Sequence, residues 1–421
     1  AYAADISNTG EASPVILFGT APASPTIKKV RGGDRRIKVY WKKAAGAVAY
    51  RIYLSTKSGS GYKLYTNVSA EDYLRRNVSV PLQKKKYYVK VEAVRTVSGT
   101  ELASMSTARS AKTAAAKATS TKAKYYKNKK AFKKSTAYKT YKAFRKKVSY
   151  AKSIVMPGQI TTNVAGFNVA RMIPQGITVA GDYMLVSAYD GSKTTESVIF
   201  VINRKTKKLC TTVVMPYASH LGGIAYDGTN VWISKGKAVA SFPYSVVTNA
   251  VNAGTSYTEL AAYKSVSTLD STASFMGYYN NVLWIGTFRQ ATSTMKGYQI
   301  NNKATLPSLS PAYTMDVPSK TQGITFDSAG TMILTRSYRT KKAKSGYISQ
   351  LRTYKPSFAS PKSNGKVLKN TAMKVTTMPP MVKGAAVYGT YTYALFSSSY
   401  YKSCKYPVDR VIAMKESKLV E

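Results

Sequence analysis

A short motif recurs five times in the second half of this chain, and it constrains the fold more than any other feature. Each copy begins with a glycine and continues into a compact apolar strand that ends in a small residue. The repeated glycines lie at intervals of 46 to 61 residues and are Gly176, Gly223, Gly277, Gly323 and Gly384. The apolar strands are expected at 183–187, 231–234, 282–286, 332–335 and 393–397. This regularity predicts one structural unit built five times.

Turn-forming residues lie between the strands of each copy, and a further strand follows. The turns include residues 180–182, 227–230, 280–281 and 328–330, whose Gly, Asn and Asp residues suit hairpins with positive φ angles. The further strands are predicted at 197–202, 238–242, 297–300, 348–351 and 410–414. The repeat length is close to the roughly 40 to 50 residues of a four-stranded propeller blade. The sequence therefore predicts a five-bladed β-propeller over residues 153–421, with an irregular all-β sandwich as the alternative.

The fifth copy ends soon after its third strand, which leaves that blade incomplete. The last blade needs a fourth strand to complete a closed ring. A closed ring is favourable because it leaves few exposed sheet edges. The segment 163–172 precedes the first repeated glycine. We expect this segment to supply the missing outer strand.

The first third of the chain has a different pattern, in which apolar and polar residues alternate with period two. Strands are predicted at 26–30, 36–41, 50–55, 62–65, 77–80 and 87–94, which favours an antiparallel sandwich over residues 24–113. The segment resembles a fibronectin type III module of bacterial surface proteins. The residues that carry this resemblance are Trp41, Tyr50-Arg51-Ile52-Tyr53, Leu82, Tyr87, Val89, Val91 and Ala93. The resemblance implies a spacer or an adhesive unit.

A strongly basic segment lies between these two parts. No acidic residue occurs in 102–180, and residues 112–152 contain fifteen Lys or Arg. Because like charges repel one another, we expect residues 114–152 to form an extended or partly helical linker. Four apolar residues are spaced so that they would lie on one face of a helix and could pack against a neighbouring element, namely Tyr138, Tyr141, Phe144 and Val148.

The net charge constrains the partners of this protein. Sixty-four Lys and Arg residues against eighteen Asp and Glu residues give a formal charge of +46, which attracts polyanions by releasing their counterions. We expect an anionic or neutral glycan, a cell-wall polymer or a host surface as partner. Nucleic acid would bind only non-specifically, because no nucleic-acid-binding motif occurs. The residues predicted to bind polyanions are Lys127, Lys129, Lys130, Lys133, Lys134, Arg145, Lys146 and Lys147.

Two further features bear on the location of the protein. The first residues, Ala1-Tyr2-Ala3-Ala4, are of the kind left after signal-peptide cleavage, and no apolar run is long enough to span a membrane. We expect a monomer that is secreted or associated with the cell wall. The two cysteines, Cys210 and Cys404, permit one disulfide between the first and fifth blades, with two separate thiols as the alternative.

Unusual polar residues lie next to the repeated glycines. In a propeller these positions converge on the entrance of the central channel, and the predicted ligand-binding residues there are Gln175, His220, Gln322 and Lys383. Their amide, imidazole and ammonium groups favour hydrogen bonding to a ligand. The alternative is that the two glutamines bind neighbouring backbone groups. A basic and aromatic rim is expected from Tyr189, Asp190, Arg336 and Tyr338.

The sequence favours binding over catalysis. It contains one histidine and has no nucleophile elbow, phosphate-binding loop or paired-histidine motif. We therefore assign no catalytic residue, metal ligand or cofactor. A glycan-active hydrolase or lyase is the alternative, since glycoside hydrolysis uses two facing carboxyl groups. The carboxyl groups that would serve are those of Asp190, Asp316 and Asp409.

The second half also resembles secreted bacterial β-propeller proteins of unassigned activity. The resemblance rests on residues 173–177, 220–225, 322–324, 336–338, 379–384 and 407–411 and spans about 164–415. It implies an acidic residue at the position of Lys383 and another at the position of Ser397. Because this chain lacks both acidic residues, acid catalysis and metal binding are less expected here, and recognition of an anion is favoured.

The sequence thus predicts an all-β chain of four parts. These are an N-terminal extension (1–23), a fibronectin type III module (24–113), a basic linker (114–152) and a propeller (153–421). The predicted function is that of an exported binding or adhesion protein whose propeller recognises an anionic or carbohydrate ligand at the cell surface. Besides the hydrolase, a second alternative is a host-interacting polypeptide that acts through a fibronectin type III module released by proteolysis.

Overall fold

A computed structural model of the chain confirms the all-β class. It describes residues 19–33, 36–70, 74–80, 84–114, 125–159, 163–165, 167–169, 171–191, 195–260, 263–291, 293–303, 307–354, 364–366 and 372–420. Within these residues, strands predominate and the helices are short. Two compact units are formed, one mainly from Ile37–Arg76 and Lys85–Lys112 and the other from Thr113–Glu421.

The part of the chain before residue 113 contains two antiparallel sheets. Its strands are β1 (Ile27–Gly33), β2 (Arg36–Trp41), β3 (Ala49–Ser55), β4 (Lys63–Ser69), β5 (Arg75–Ser79), β6 (Lys86–Val97), β7 (Thr100–Met105) and β8 (Arg109–Lys112). One sheet has the order β1-β2-β5 and the other the order β4-β3-β6-β7, with β8 also paired to β6. Strand β6 buries every second residue from Tyr87 to Ala93, because alternate side chains of a strand point to opposite faces. Strands β7 and β8 were not predicted, since their sequences lack apolar alternation.

The remaining chain begins with three short helices and continues mostly as strands. The helices are α1 (Lys129–Lys133), α2 (Thr136–Thr140), α3 (Lys142–Lys147), α4 (Ser245–Asn252) and α5 (Ser417–Val420). The first strands are β9 (Val148–Val155), β10 (Asn163–Val164), β11 (Phe167–Asn168), β12 (Met172–Ala180), β13 (Tyr183–Asp190), β14 (Val198–Asn203), β15 (Leu209–Val214), β16 (Ile224–Tyr226), β17 (Asn230–Lys235), β18 (Ala238–Pro243), β19 (Thr258–Glu259) and β20 (Lys264–Thr268). They are followed by β21 (Phe275–Tyr279), β22 (Val282–Gly286), β23 (Ser293–Asn301), β24 (Ser308–Val317), β25 (Thr321–Phe326), β26 (Met332–Arg339), β27 (Tyr347–Tyr354), β28 (Asn364–Lys366), β29 (Lys374–Thr377), β30 (Val382–Tyr388), β31 (Tyr391–Phe396) and β32 (Arg410–Lys415).

Five sheets of four or five strands make up most of this unit. Sheet 1 has the order β12-β13-β14-β15-β19, sheet 2 β16-β17-β18-β20, and sheet 3 β21-β22-β23-β24-β28. Sheet 4 has the order β25-β26-β27-β29 and sheet 5 the order β30-β31-β32-β9. The predicted hairpin turns carry positive φ angles, among them Gly181 at +51° and Gly228 at +96°. The first three strands of every sheet are joined in sequence order, as the repeated motif predicts.

Each of the five sheets packs against two others. In β13, for example, Met184 and Val186 belong to an apolar cluster shared with sheet 5, whereas Leu185 belongs to a cluster shared with sheet 2. Further clusters join sheets 2 and 3, sheets 3 and 4, and sheets 4 and 5. Because both faces of these strands are covered, they are almost continuously apolar rather than alternating.

The five repeated glycines lie where the first strands of successive sheets approach one another. None of them has a positive φ angle, so the backbone conformation alone does not require glycine. A Cβ atom on Gly323 would lie 2.8 Å from the Cα of Gly384, and one on Gly277 would lie 2.9 Å from the carbonyl oxygen of Ile324. The motif was interpreted as a glycine turn. Its glycines instead lie in or directly before the first strand, because no side chain fits there.

Hydroxyl groups within the second strand explain the small residue of the motif in sheets 1 and 4. The Ser187 hydroxyl accepts a hydrogen bond of 3.0 Å from the Gly176 N–H and donates one of 2.8 Å to the Leu221 carbonyl oxygen, next to sheet 2. Likewise, the Thr335 hydroxyl of sheet 4 donates to the Lys383 carbonyl oxygen of sheet 5. The motif therefore contains both the space and the hydrogen bonds that join neighbouring sheets.

The described part of the basic segment is not a separate linker. Phe132, Ala137 and Phe144 are fully buried in the cluster between sheets 4 and 5, while Tyr138, Tyr141 and Val148 pack against it. Charge does not prevent this packing, because the basic side chains point outward. The predicted docking face is therefore present, and the prediction of an unpacked linker is wrong for residues 125–152.

Strand β9 supplies the outer strand of sheet 5. It pairs antiparallel with β32, with Arg410 opposite Val155. The prediction that residues 163–172 would fill this position is therefore wrong. In that segment β10 and β11 pair only with each other, and Met172 begins the first strand of sheet 1.

A buried ion pair fixes the start of the basic segment to sheet 5. The Arg410 Nε donates to Asp409 Oδ1 at 2.7 Å, and both side chains are buried. The Tyr126 N–H donates to Asp409 Oδ2 at 2.8 Å, and Arg410 donates to the Tyr126 carbonyl oxygen at 2.9 Å. The Arg410 guanidinium also lies 4.8 Å from the centre of the Phe132 ring. Most polar atoms of the pair therefore have partners.

We predict that Gly323→Ala destabilises the protein by about 1–3 kcal/mol, because an added methyl group would overlap the backbone of sheet 5. Denaturant unfolding measures this change in free energy. The matched control is Gly59→Ala, where no atom lies within 4 Å of the added Cβ. Equal stability of the two variants would contradict the close approach of the strands.

We also predict that Asp409→Asn costs about 3–5 kcal/mol, since it leaves the buried charge of Arg410 uncompensated. The control is Asp270→Asn, which breaks an exposed pair with Lys296 and should change the unfolding midpoint little. A similarly small effect at Asp409 would mean that the basic segment is not held by this pair.

Candidate functional site

The first strands of the five sheets surround a cavity of about 490 Å³. Residues of all five sheets or of the loops next to them line it, and we call it the central cavity. All four predicted channel residues, Gln175, His220, Gln322 and Lys383, are among these lining residues. The other lining residues are Ser219, Leu221, Gly222, Ser234, Gly236, Thr272, Ala273, Ser274, Thr287 and Phe288.

Lys383 brings an ammonium group into the central cavity. Its Nζ lies 3.4 Å from the Gln322 Oε1, which accepts a hydrogen bond from it. Protein surrounds the cavity on several sides, although part of the lysine surface still faces the cavity. Desolvation by burial lowers the pKa of Lys383 to about 8. The group is thus charged at neutral pH and poorly hydrated, a combination that favours an anionic partner.

The two glutamines have different environments. Gln322 donates from its Nε2 to the Ser337 carbonyl oxygen at 3.0 Å and accepts from Lys383, so both ends of its amide are engaged. Gln175 is 4% exposed, and its Nε2 has no hydrogen-bond partner in the part of the chain that the structure describes. Buried donors are nearly always paired in folded proteins. The Gln175 amide is therefore suited to bind an acceptor oxygen of a ligand.

An aromatic side chain supports His220 at the edge of the cavity. The ring of Tyr189 lies 4.4 Å from the imidazole ring, centre to centre. Burial, with a further contribution from Tyr401, raises the pKa of Tyr189 above its usual value. Tyr189 therefore keeps its proton at physiological pH and packs against His220 as a neutral ring.

The carboxyl groups considered for catalysis do not line the central cavity. Asp190 is buried and accepts a hydrogen bond of 3.2 Å from the Thr195 N–H within its own loop. Asp316 accepts from the Thr294 hydroxyl at 3.1 Å, and Asp409 is paired with Arg410. The described lining of the central cavity therefore contains an ammonium group and no carboxylate.

Arg336 and Tyr338 lie together and are not among the described residues that line the central cavity. Arg336 donates from its Nε to the Ser319 carbonyl oxygen at 2.7 Å, and its guanidinium lies 4.6 Å from the centre of the Tyr338 ring. Lys320 Nζ lies 3.9 Å from the same ring centre. Arg336 is buried, so it contributes to packing more than to an exposed rim.

The residues predicted to bind polyanions lie on the outer surface of helices α1 and α3 and next to them. Seven are exposed, namely Lys127, Lys129, Lys130, Lys133, Lys134, Arg145 and Lys146. Lys147 is half-buried, and desolvation, together with Lys374 and Lys418, lowers its pKa. The helices thus present a basic face to the solvent while their apolar side chains are buried.

The remaining predictions concern the cysteines, metal ligands and membrane-spanning segments. Cys210 and Cys404 are both free thiols, so they are two separate cysteines with no disulfide between them, which was the alternative prediction. Within the described residues, no three His, Cys, Asp or Glu side chains are grouped so as to hold a metal ion. No helix of the described chain is long and apolar enough to cross a membrane.

Sequence reasoning missed the small polar residues of the cavity, such as Ser219, Thr272, Ser274 and Thr287. They lie in the loops that precede first strands or follow second strands. Their position relative to the repeated glycines would have identified them, because such loops lie at the same end of every sheet.

No protein-family model and no curated protein matches this chain. Among solved structures, it is similar to a β-1,2-glucanase from Parabacteroides distasonis, with 26% identity over 23% of this chain and 14% of the glucanase and a TM-score of 0.21. It is similar to an Fn3-like protein from Clostridium thermocellum, with 26% identity over 23% of this chain and 97% of that one and a TM-score of 0.19. For the hydrazine synthase of Kuenenia stuttgartiensis the identity is 9%, over 57% of this chain and 61% of that one, with a TM-score of 0.32. The chain thus spans less than two thirds of the glucanase and of the synthase.

The two glutamines should differ in their contribution to stability. Gln322→Ala leaves the Ser337 carbonyl oxygen without its partner and is expected to cost about 1–3 kcal/mol. Gln175→Ala removes an unpartnered donor and should cost clearly less. Denaturant unfolding of both variants measures the difference, and a larger loss at Gln175 would show that its amide is paired in solution.

Proposed function

We propose that this chain is an exported binding protein whose larger unit is a five-bladed β-propeller that recognises an anionic or carbohydrate ligand in the central cavity. One observation carries the proposal. The Gln175 Nε2, which has no hydrogen-bond partner among the described residues, and the desolvated ammonium of Lys383 line the same cavity, and none of the described lining residues is a carboxylate. Such convergent polar groups in a concave site are typical of a ligand pocket.

The arrangement of the five sheets supports the propeller. Strand β12 contacts β16, β16 contacts β21, β21 contacts β25, β25 contacts β30, and β30 contacts β12. A propeller is expected to have such a cycle of first strands, from which mainly antiparallel sheets of four or five strands extend. The pairing of β9 with β32 joins the two ends of the unit, as closure of a propeller requires.

The smaller unit is a fibronectin type III module in this proposal. Its strand orders, β1-β2-β5 and β4-β3-β6-β7, fit the two sheets of an immunoglobulin-like sandwich. The rings of Trp41 and Tyr50 pack edge-on with their centres 5.5 Å apart, which supports the resemblance that these two residues carry. The module would act as a spacer or an adhesive unit.

Binding is favoured over hydrolysis by the distribution of acids. A glycosidase places two carboxyl groups about 5–9.5 Å apart on either side of the scissile bond. Among the residues that the structure describes, the lining of the central cavity contains no carboxylate, and Asp190, Asp316 and Asp409 have hydrogen bonds elsewhere. The charge of +46 further favours acidic polymers as partners.

The first experiment is to probe the full chain against an array of acidic and neutral oligosaccharides and then to measure the best ligand by calorimetry. We expect Gln175→Ala and Lys383→Met each to weaken binding at least tenfold. The control is Thr229→Ala, an exposed residue in the turn before β17 that does not line the cavity. Unchanged affinity in both cavity variants would place the ligand elsewhere.

The pH dependence of binding should report on Lys383. With a pKa of about 8, its charged fraction falls from about nine tenths at pH 7 to about one tenth at pH 9. Only the charged form attracts an anion, so affinity should fall as the pH rises through this range. A bound anion stabilises the charged form, so it should raise the pH at the midpoint of this fall. Lys383→Arg keeps its charge and should bind with little change from pH 7 to 9. A parallel loss in both proteins would assign the pH effect to another group.

A further inference from the structure

A second cavity, of about 480 Å³, lies beside the basic segment. It is lined by the junction of α2 and α3, the turn before β27, the beginning of β27 and the loop that carries Tyr406. Its volume is within the roughly 300–1,000 Å³ of ligand pockets. None of the residues predicted to bind a ligand lines it. We call it the lateral cavity.

Three tyrosines form the aromatic part of the lateral cavity. They are Tyr141, Tyr347 and Tyr406, and each is partly exposed. The rings of Tyr141 and Tyr406 pack edge-on with centres 5.5 Å apart, and the Tyr141 hydroxyl is hydrogen-bonded to Ser345. These contacts hold the rings of Tyr141 and Tyr406 in place before any ligand arrives, which reduces the entropy lost on binding.

Positive charge and neutral hydrogen-bonding groups complete the lining. Lys142 and Lys344 are both exposed, one on α3 and one in the turn before β27. No carboxylate is among the lining residues that the structure describes. The Gln350 Oε1 accepts from the Arg352 Nε at 3.0 Å, which orients the amide and leaves its NH₂ group as a donor.

The chemistry of the lining selects among the macromolecules that could fill this cavity. A second copy of this chain is disfavoured, because two molecules of charge +46 repel each other. Phosphate and base recognition favours the guanidinium fork of arginine, and none of the described lining residues is an arginine. Hydroxyl, amide and ammonium groups around tyrosine rings match instead a sugar that carries both hydroxyl groups and negative charge.

We propose that the lateral cavity binds a sugar unit of an anionic polysaccharide, and that the polymer continues over the exposed basic residues of α1 and α3. Tyr347 and Tyr406 would cover the sugar ring, Gln350 would donate to a hydroxyl oxygen, and Lys142 and Lys344 would neutralise acidic groups. This site is separate from the central cavity. This proposal therefore does not depend on the function proposed for the central cavity.

Fluorescence anisotropy of a labelled galacturonic acid hexamer with the full chain tests this proposal at physiological salt. We expect Tyr347→Ala to lower the affinity at least tenfold and Lys344→Gln to lower it about threefold. The matched controls are Tyr388→Ala and Lys237→Gln, which make the same changes at exposed positions outside the lateral cavity. Lys344 is exposed, so its substitution tests the site without a risk to folding.

A neutral maltohexaose is expected to bind at least tenfold more weakly than the galacturonic acid hexamer. Equal losses in the cavity variants and their controls would show that only the net charge matters and would overturn the proposal. Tighter binding of a twenty-nucleotide oligothymidylate that is lost in Tyr347→Ala would also overturn it, because the cavity would then be a nucleic-acid site. Melting temperatures of all variants confirm that each one is folded.

Discussion

The larger unit depends on the close approach of five backbone strands. At four of the five repeated glycines an added Cβ would lie within 3.0 Å of a neighbouring atom, and at Gly323 that atom is the Cα of Gly384 in the next first strand. Close contact also allows a hydroxyl group, such as that of Thr335, to reach the backbone of the next sheet. A side chain at any of these positions would separate two sheets and thereby open the apolar clusters between them.

The same constraint creates the central cavity. Residues that flank the repeated glycines are held on first strands, and three of them, Gln175, Gln322 and Lys383, line one space. A fourth position, Met276, is buried in the cluster between sheets 2 and 3 instead. The scaffold fixes where these side chains lie, whereas their chemistry determines what can bind. Rigid strands are a good support for such a site, because the polar groups keep their geometry without a ligand.

The parts of the fold that could be predicted from the sequence are those encoded locally. Glycine spacing, hairpin turns and apolar strands indicated five repeated units and placed Gln175, His220, Gln322 and Lys383 near one another. Contacts between residues far apart in the sequence were not predictable. The pairing of β9 with β32 and the hydrogen bond from Tyr126 to Asp409 join residues more than 250 positions apart, and no local pattern marks them. Lateral-cavity residues were missed for the same reason.

The basic segment demonstrates why charge density alone is a poor guide to disorder. What decides whether such a segment folds is whether its apolar residues share one face, and here Phe132, Ala137 and Phe144 are all buried while the neighbouring lysines remain in water. Burial of one aromatic side chain is worth about 2–3 kcal/mol, whereas repulsion between exposed lysines is screened within about 8 Å at physiological salt. Packing therefore outweighs repulsion. As a result, the basic surface is fixed to the sheets, and Lys142 of this segment lines the lateral cavity.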